Sequence, residues 1–348
     1  MFWLTWRQFR VQAAITAGIL AIVAAGLLIT GIMLRHHYNA SGLTACHAHH
    51  DCEELATSFV NQFNSGTFGH LSLVSSLGSA VLYLAPLLIG LFWGAPLLSR
   101  EFETGTVRLA WSQSVTRTRW LAVKLGVVGL AAVVTAGLLS LLVTWWSGPL
   151  DQAEAYAGPN AEISTSRLDP SLFGVRDIVP IGYAAFAVVL GAVIGVLLRR
   201  TVPAMAVTLA VFGGLQIAWP NFIRARLISP VTFRAPLTGN FDQLSVRQPG
   251  YQMTVIGSWY KAGAWLLSNQ TVTRSGQAFT GPAGSACRGP SLPDCTAWVL
   301  RQHLAQLVSY EPASRFWAFQ WLETGIYVVL AAALAAFCAW WLGRRRLA

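Results

Sequence analysis

Apolar residues are gathered into six long stretches along the chain, and most polar residues lie between these stretches. The apolar stretches cover residues 11–34, 77–98, 125–147, 178–198, 203–222 and 316–342. An α-helix needs roughly 20 mostly apolar residues to cross the hydrocarbon core of a bilayer. We therefore predict six transmembrane helices and an all-α integral membrane protein, and we reject six buried helices of a large soluble domain.

Composition supports this class of protein. Hydrophobic residues make up 54% of the chain and charged residues only 11%, whereas soluble domains contain about 25% charged residues. A purely soluble protein and a disordered chain are both excluded. The first stretch is longer than the roughly 7–15 apolar residues of a signal peptide core, and no clear small-residue cleavage site ends it. We expect it to be retained as a span.

The charges are distributed unevenly between the two predicted sides of the membrane. The formal net charge is +10. If the N-terminus is cytosolic, the cytosolic segments contain twelve cations and two acids, which is the positive-inside pattern. We predict a multi-pass protein of the plasma (inner) membrane with both termini in the cytosol. Topology and the lipid bilayer explain the basic charge, so no nucleic-acid partner is predicted.

Four regions follow from this pattern. Residues 1–10 are predicted to form an amphipathic helix lying in the membrane interface, with an inner extension of the first span as the alternative. Residues 11–222 contain spans 1 to 5 and a cytosolic loop at 99–124. Residues 223–315 form an extracytoplasmic domain with strand-like runs and an amphipathic helix expected near 296–309. Residues 316–348 contain the sixth span and a basic C-terminus.

The cysteines agree with this topology. Cys46 and Cys52 fall in the first outer loop, Cys287 and Cys295 fall in the last outer region, and Cys338 lies inside the sixth span. Two disulfides in an oxidising compartment are expected. The pairs 46–52 and 287–295 close short loops and are favoured, although spacing alone leaves cross-pairing open.

The first outer loop also contains a weak metal-binding candidate. Its imidazoles are those of His47, His49 and His50. The group lacks a recognised ligand spacing, and oxidised cysteines cannot supply thiolate ligands. We therefore predict no metal site.

The chain lacks the apparatus for nucleotide hydrolysis. A phosphate-binding loop requires Gly-x4-Gly-Lys-Ser/Thr. The only lysines are Lys124 and Lys261, which are followed by Leu125 and Ala262. Combinations of Ser, His and Asp also occur without any motif context. We predict that the chain is not an enzyme by itself and binds no cofactor.

The segment after the second stretch contains the most informative motif. It reads Glu101-x-Glu103-x-Gly105-Thr106, followed by Ser114, Arg117 and Lys124. This string resembles the loop between spans two and three of ABC-2-type permeases, the membrane subunits of type 2 ABC exporters. The six-span layout, the interfacial N-terminal helix, the basic C-terminus and the segment PASRFWAFQWLETGIYVVL are also similar. The segment 223–315 is longer than the short re-entrant hairpin typical of that family.

The resemblance implies a cytosolic coupling helix that docks onto a separate, soluble ABC ATPase subunit, which binds ATP and Mg. Leu109 and Trp111 would supply the apolar contact with the ATPase. Glu101 and Glu103 would lie at a hinge, available to basic groups of the ATPase. Gly105 permits a sharp turn, and Thr104 or Thr106 can cap the following helix. The residues that would anchor the returning chain to lipid phosphates or partner acids are Arg117, Arg119 and Lys124.

The resemblance also implies a two-fold dimer, since one six-span unit lacks the second wall of a pathway. A homodimer is favoured over a heterodimer. The expected substrate is hydrophobic or amphipathic, such as a drug, a peptide antibiotic or a lipid. Two other classes compete with an exporter. One is a membrane sensor or scaffold that binds a ligand through 223–315, and the other is a membrane-embedded enzyme acting at that domain.

Glu323 is a carboxylate within the sixth span, next to Gln320. Placing a charge at the centre of a membrane helix costs roughly 2.5–3.5 kcal/mol on insertion scales. Glu323 should therefore be protonated, paired or in contact with water. Either it lines the translocation route with Gln320 or contributes to a dimer interface, or it lies near the outer interface and pairs with Arg315 or another loop cation.

Overall fold

The computed structural model describes residues 2–46, 49–68, 71–106, 116–158, 166–247, 252–281, 283–287 and 292–344. Within these residues, six helices are long and apolar enough to cross a membrane. The six predicted spans are thereby confirmed. Spans 1 to 6 run Phe9–Ala40, Gly78–Glu103, Arg117–Tyr156, Val179–Leu198, Thr201–Leu227 and Ala313–Arg344.

Successive spans run in opposite directions, so the bundle has two different ends. At one end, here called the terminal end, lie the start of span 1, the end of span 6 and the described residues 104–106, 116 and 199–200. The opposite end, here called the domain end, carries the longer connections, including the folded segment between spans 5 and 6. The cytosolic assignment of the terminal end stays a prediction.

The N-terminal segment differs from the prediction. Phe2–Ala40 is one uninterrupted helix of 39 residues, so residues 1–10 do not form a separate interfacial helix. The alternative, an extension of span 1, describes the structure. The physical reason lies in the sequence, since no proline and no glycine precedes Gly18 to interrupt the helix.

Span 2 contains a wide turn close to a proline. Helix Leu71–Ile89 continues through the π-helical turn Gly90–Gly94 into helix Ala95–Glu103. Pro96 has no N–H, and a helix therefore loses the bond to the carbonyl four residues earlier. That carbonyl belongs to Phe92, and it accepts instead from Gln12 Nε2 of span 1 at 3.2 Å.

Span 5 repeats this arrangement at its domain end. Helix Thr201–Ala218 continues through the π-helical turn Trp219–Arg224 into the short helix Ala225–Leu227. Pro220 leaves the carbonyl of Gln216 without its helical donor. The Tyr83 hydroxyl of span 2 donates to that carbonyl at 2.8 Å, and Gln216 Nε2 donates to the Tyr83 carbonyl at 2.6 Å.

Reciprocal glycines bring spans 2 and 4 into backbone contact. Gly90 and Gly94 of span 2 face Gly191 and Gly195 of span 4. A methyl group on Gly94 would lie 2.6 Å from the Val188 carbonyl oxygen, and one on Gly191 would lie 2.7 Å from the Gly90 carbonyl oxygen. Small residues four apart on facing helices are a general device for close packing in membranes. These two spans are therefore in direct backbone contact along this stretch.

Span 4 lies at the centre of the bundle. Of its most apolar 18 residues, 72% are buried, whereas the corresponding value is 17% for span 1 and 22% for spans 5 and 6. The peripheral spans expose large apolar side chains. Examples are Ile15, Ile22 and Ile29 on span 1 and Val202 and Ile217 on span 5. Such surfaces are stable against lipid and not against water.

A helical cap covers the domain end of spans 1 and 3. Helix His49–Asn64 packs against the ends of both spans, and the Phe59 ring lies 5.6 Å from the Tyr38 ring. The disulfide Cys46–Cys52 ties the start of this helix to the chain that leaves span 1. Its pairing is as predicted.

Between spans 5 and 6 the chain forms a small mixed domain, here called the sheet domain. Its strands are β1 Val231–Pro236, β2 Phe241–Arg247, β3 Gln252–Gly257, β4 Trp265–Val272 and β5 Ala305–Glu311, and its helix is Leu292–Arg301. One antiparallel sheet has the order β1-β5-β4, and β2 and β3 form an antiparallel hairpin. The all-α description therefore applies to the membrane part.

The helix expected near 296–309 was too long. It ends at Arg301, and His303 adopts a left-handed conformation with φ 51° before β5 begins. Within β5 the side chains of Gln306, Val308 and Tyr310 are buried. This two-residue period marks a strand, although the apolar positions also fit a helical spacing. The predicted disulfide Cys287–Cys295 is present in the core of this domain.

Candidate functional site

A buried ion pair joins spans 2 and 3 at the terminal end. Lys124 Nζ of span 3 donates to Glu101 Oε1, and both residues are buried. The Lys124 ammonium also lies 5.3 Å from the centre of the Trp120 ring. Removing one partner of such a pair leaves an uncompensated buried charge, so loss of either side chain alone should be strongly destabilising.

Glu103 joins the end of span 2 to the start of span 5. Its Oε2 accepts from the Thr201 backbone N–H at 3.0 Å and from the Thr201 hydroxyl at 2.7 Å. Thr201 is the first residue of its helix, and the first N–H groups of a helix lack internal partners and attract negative charge. Glu103 therefore caps span 5 from a different span.

Arg117 makes a third connection at the same end. Its Nη1 donates to the carbonyl of Leu342 in the last turn of span 6 at 3.0 Å, where carbonyl groups lack helical donors. Thr116 caps the start of span 3 by accepting from the Arg119 backbone N–H at 3.4 Å. The side chain of Arg119 is exposed.

These contacts change the roles expected for the coupling residues. Glu101 and Lys124 are buried against each other, so Glu101 is not available to a partner's basic groups and Lys124 does not reach lipid phosphates in this conformation. Gly105 has φ +72°, as a sharp turn requires. The Thr106 hydroxyl lies 3.1 Å from that of Thr104. Leu109 and Trp111, with the predicted coupling helix, lie outside the described residues.

A second buried cluster lies at the domain end, between spans 4, 5 and 6. Arg224 Nε donates to Glu323 Oε2 at 2.8 Å, and Arg224 Nη2 donates to Glu323 Oε1 at 3.0 Å. The Tyr183 hydroxyl also donates to Glu323 Oε1. Arg224 and Glu323 are 0% exposed, and the guanidinium lies 4.2 Å from the centre of the Phe173 ring. We call Arg224, Glu323 and Tyr183 the domain-end cluster.

Gln320 has a separate structural task. Its Oε1 accepts from the backbone N–H groups of Ile178 and Val179 at 3.2 and 3.0 Å. Its Nε2 donates to the carbonyls of Phe173 and Arg176 at 3.4 Å each. One side chain of span 6 thereby provides hydrogen-bond partners for backbone groups at the start of span 4 and in the loop before it.

Gln320 and Glu323 lie three residues apart on span 6 and contact different groups, and their role in a translocation route stays a prediction. Both are 0% exposed. The expected pairing of Glu323 with a cation of the segment 223–315 is present, but the cation is Arg224. Arg315 pairs with Glu311 at 2.8 Å instead. Arg224 was missed since it follows the apolar stretch 203–222 and was counted in the outer segment. A guanidinium two residues beyond a membrane helix is the signal that could have identified it.

Charged residues at the end of span 3 and in the connection between spans 3 and 4 form a further cluster. Arg176 Nη1 donates to Asp151 Oδ1 at 2.6 Å, and Arg167 lies 3.5 Å from Asp151 and 4.0 Å from Asp177. Burial raises the pKa of the Asp177 carboxyl, and the nearby guanidinium groups of Arg167 and Arg176 partly oppose this effect. Asp177 also adopts a left-handed conformation with φ 58°.

The structure adds no support for a metal site. Cys46 and Cys52 are oxidised to a disulfide. His47 lies outside the described residues, and the side chains of His49 and His50 are likewise not described. Among the described side chains, no group of three or more potential ligands is arranged around a common point.

Comparison with known proteins gives one match. A family model described as ABC-2 membrane transporter related matches residues 17–224, which is more than half of the chain. The matched range contains the contacts of Glu101, Glu103 and Lys124 and ends at Arg224, so the sheet domain lies beyond it. No curated protein and no solved structure matches the chain.

Proposed function

The chain belongs to the ABC-2 membrane transporter related family, and on this premise we propose that it couples ATP hydrolysis by a separate subunit to the export of a hydrophobic or amphipathic substrate. ABC-2 permeases are the transmembrane components of ABC transporters, and their family membership implies an ABC ATPase partner. The exporter direction, the substrate class (a drug, a peptide antibiotic or a lipid) and the homodimer belong to the proposal. So does the cytosolic location of the terminal end.

One observation carries this proposal. The residue that ends span 2, Glu103, caps span 5, and its neighbour Glu101 is paired with Lys124 of span 3. Both links lie immediately before the segment that contains Leu109 and Trp111. A force applied to that segment would therefore act on three spans together, because a capped helix start and a buried ion pair resist separation.

The proposed cycle follows from these links. ATP closes two ATPase subunits, and the two docked loops approach each other. The terminal ends of spans 2, 3 and 5 then move with the loop. This movement converts an opening toward the cytosol or the lipid into an opening at the domain end. ATP and Mg are held by the partner, and no chemical step occurs on this chain.

A test requires the ATPase partner. The full chain would be co-expressed with each ABC ATPase subunit of its own genome and purified in lipid nanodiscs. We expect one ATPase to copurify stoichiometrically and to be lost when Leu109 and Trp111 are both replaced by Asp. Leu300→Asp is the matched control, because Leu300 is exposed on the helix of the sheet domain at the opposite end.

Transport then tests the rest of the proposal. Vesicles containing the complex would be supplied with ATP and a panel of fluorescent amphipathic compounds. ATP-dependent movement of one of them, absent without Mg, supports an exporter. If no ATPase associates and the isolated chain binds compounds through the sheet domain, the sensor or scaffold hypothesis replaces the exporter.

A further inference from the structure

We propose that the domain-end cluster is a latch that holds span 5 against spans 4 and 6 in the present conformation and opens once in each transport cycle. This inference rests on the proposed function. It concerns Arg224, Glu323 and Tyr183, which the family resemblance does not mention. Ionisable side chains within membrane spans are costly and are retained mainly where they serve a function.

The hydrogen bonding of the cluster is unbalanced, which indicates a second arrangement. Both carboxylate oxygens of Glu323 have donors. Among the described residues, however, Arg224 Nη1 and Trp219 Nε1 are buried donors without an acceptor, and Thr324 Oγ1 is also unpartnered. Buried polar groups in stable structures are nearly always satisfied. Within the cluster, the unpartnered donor is Arg224 Nη1, which would gain an acceptor if the cluster adopted a second arrangement.

The backbone that carries Arg224 provides a way to move it. Arg224 is the last residue of the π-helical turn that begins at Trp219. Such a turn contains one more residue than an α-helical turn and is often found at functional sites. If the turn relaxes to an α-helix, the residues after it rotate by about one residue, or ~100°. That rotation would take the Arg224 guanidinium out of reach of Glu323.

Each end of span 5 makes a polar contact with another span. At the terminal end Glu103 caps Thr201, and at the domain end Arg224 binds Glu323. Spans 2 and 4, by contrast, are joined by backbone contact at their glycines and cannot separate without losing that packing. Tyr183 of span 4 contacts both partners, because its hydroxyl donates to Glu323 Oε1 and accepts from Arg224 Nη2 at 3.3 Å. Movement of the domain end of span 5 away from span 4 therefore requires that Arg224 be released from Glu323 and Tyr183.

Release of the Arg224–Glu323 pair would change the conformation of the sheet domain. Strand β1 begins at Val231, seven residues after Arg224, and β5 ends at Glu311, directly before span 6. The two strands are paired, with Val231 opposite Tyr310. Spans 5 and 6 thus lead into neighbouring strands of one sheet, so a rotation at Arg224 would be transmitted to β1.

The experiment uses a reporter cysteine at Thr324, which follows Glu323 and packs against Gly182 of span 4. Thr324→Cys is introduced in a Cys338→Ser background, and the rate of thiol labelling by a small maleimide is measured in nanodiscs. The full chain is assayed with its ATPase, either without nucleotide or trapped with ATP and vanadate. An open state populated at roughly 0.1–10% at rest should raise the rate by at least about ten-fold when trapping makes it dominant. Ser140→Cys, buried in span 3, is the control and should keep one rate.

Substitutions in the domain-end cluster should raise the labelling rate without nucleotide. Glu323→Gln should label rapidly without nucleotide, because the charge that retains Arg224 is lost. If that variant does not fold, as judged by gel filtration, Tyr183→Phe removes one hydrogen bond and keeps the ion pair, and it should give an intermediate rate. A complex that hydrolyses ATP but labels Thr324→Cys at one rate in both states would overturn the latch and leave the exporter standing. Failure of any ATPase to associate would overturn both, and copurification records that failure independently of labelling.

Discussion

Glu103 accepts two hydrogen bonds from Thr201, although 98 residues separate them in the sequence. The last residue of one membrane helix thereby caps the first residue of another. Most helices are capped by a residue of their own chain segment. A cap supplied by a different span makes the position of span 5 depend on the position of span 2.

Replacing Glu103 by Ala should weaken coupling between ATP hydrolysis and transport. The variant loses the acceptor for both groups of Thr201, so span 5 is no longer held to the segment that we propose docks onto the ATPase. We expect fewer substrate molecules moved per ATP hydrolysed in proteoliposomes, with association of the ATPase retained. Glu54→Ala, at an exposed acid of helix His49–Asn64, is the matched control. An unchanged transport-to-hydrolysis ratio in Glu103→Ala would contradict the role.

The sequence predicted the spans well because length and hydropathy alone decide them. The limits of span 4, predicted at 178–198, differ by one residue from Val179–Leu198. The contacts of Glu101 and Glu103 could not be predicted, since their partners lie on other spans and depend on how the helices pack. The sequence places Glu101 at the boundary between span 2 and water. Only the contact with Lys124 in the structure shows that Glu101 is buried.

The Glu101–Lys124 pair can be tested by comparing the stability of a single and a double substitution. Lys124→Met leaves Glu101 buried without its countercharge, and breaking a buried pair in this way costs about 3–5 kcal/mol. Combining Lys124→Met with Glu101→Gln removes both charges and should recover most of that loss. Thermal unfolding in detergent, followed by tryptophan fluorescence, measures both variants. Equal destabilisation by the single and the double substitution would show that the charges are not coupled.

The glycine contact between spans 2 and 4 was also missed, although its pattern is visible. Gly90 and Gly94 are four residues apart, as are Gly191 and Gly195. In isolation each pattern has several explanations, because glycine is common throughout this chain. Their significance follows from the fact that the two pairs face each other.

Gly94→Ala should destabilise the bundle even though alanine is the better helix former. Its methyl group would lie 2.6 Å from the Val188 carbonyl oxygen, and such overpacking costs typically about 1–3 kcal/mol. Gly214→Ala is the matched control, because nothing lies within 4 Å of the added methyl group on span 5. That substitution should be neutral or slightly stabilising. A melting temperature for Gly94→Ala equal to that of Gly214→Ala would mean that spans 2 and 4 are not in backbone contact.

Asp177 should make the stability of the domain end depend on pH. Burial raises its pKa in the folded protein, whereas an unfolded aspartate titrates near 3.9. A carboxyl with a raised folded pKa contributes stability below the unfolded pKa and loses that contribution as the pH rises through the folded pKa. Asp177→Asn keeps the shape and tolerates the left-handed φ of 58°. The variant should therefore melt higher than the parent protein near pH 7, and this difference should shrink toward about pH 4.

Melting temperatures measured in detergent at several pH values between these limits check this expectation. Asp242→Asn is the control, because it removes the same charge at an exposed position on β2 without changing a buried group. The diagnostic quantity is the slope of the melting-temperature difference between variant and parent against pH. A slope of zero for Asp177→Asn, or a parent protein that gains stability relative to the variant as the pH rises, would show that the neighbouring guanidinium groups of Arg167 and Arg176 outweigh burial at this carboxyl.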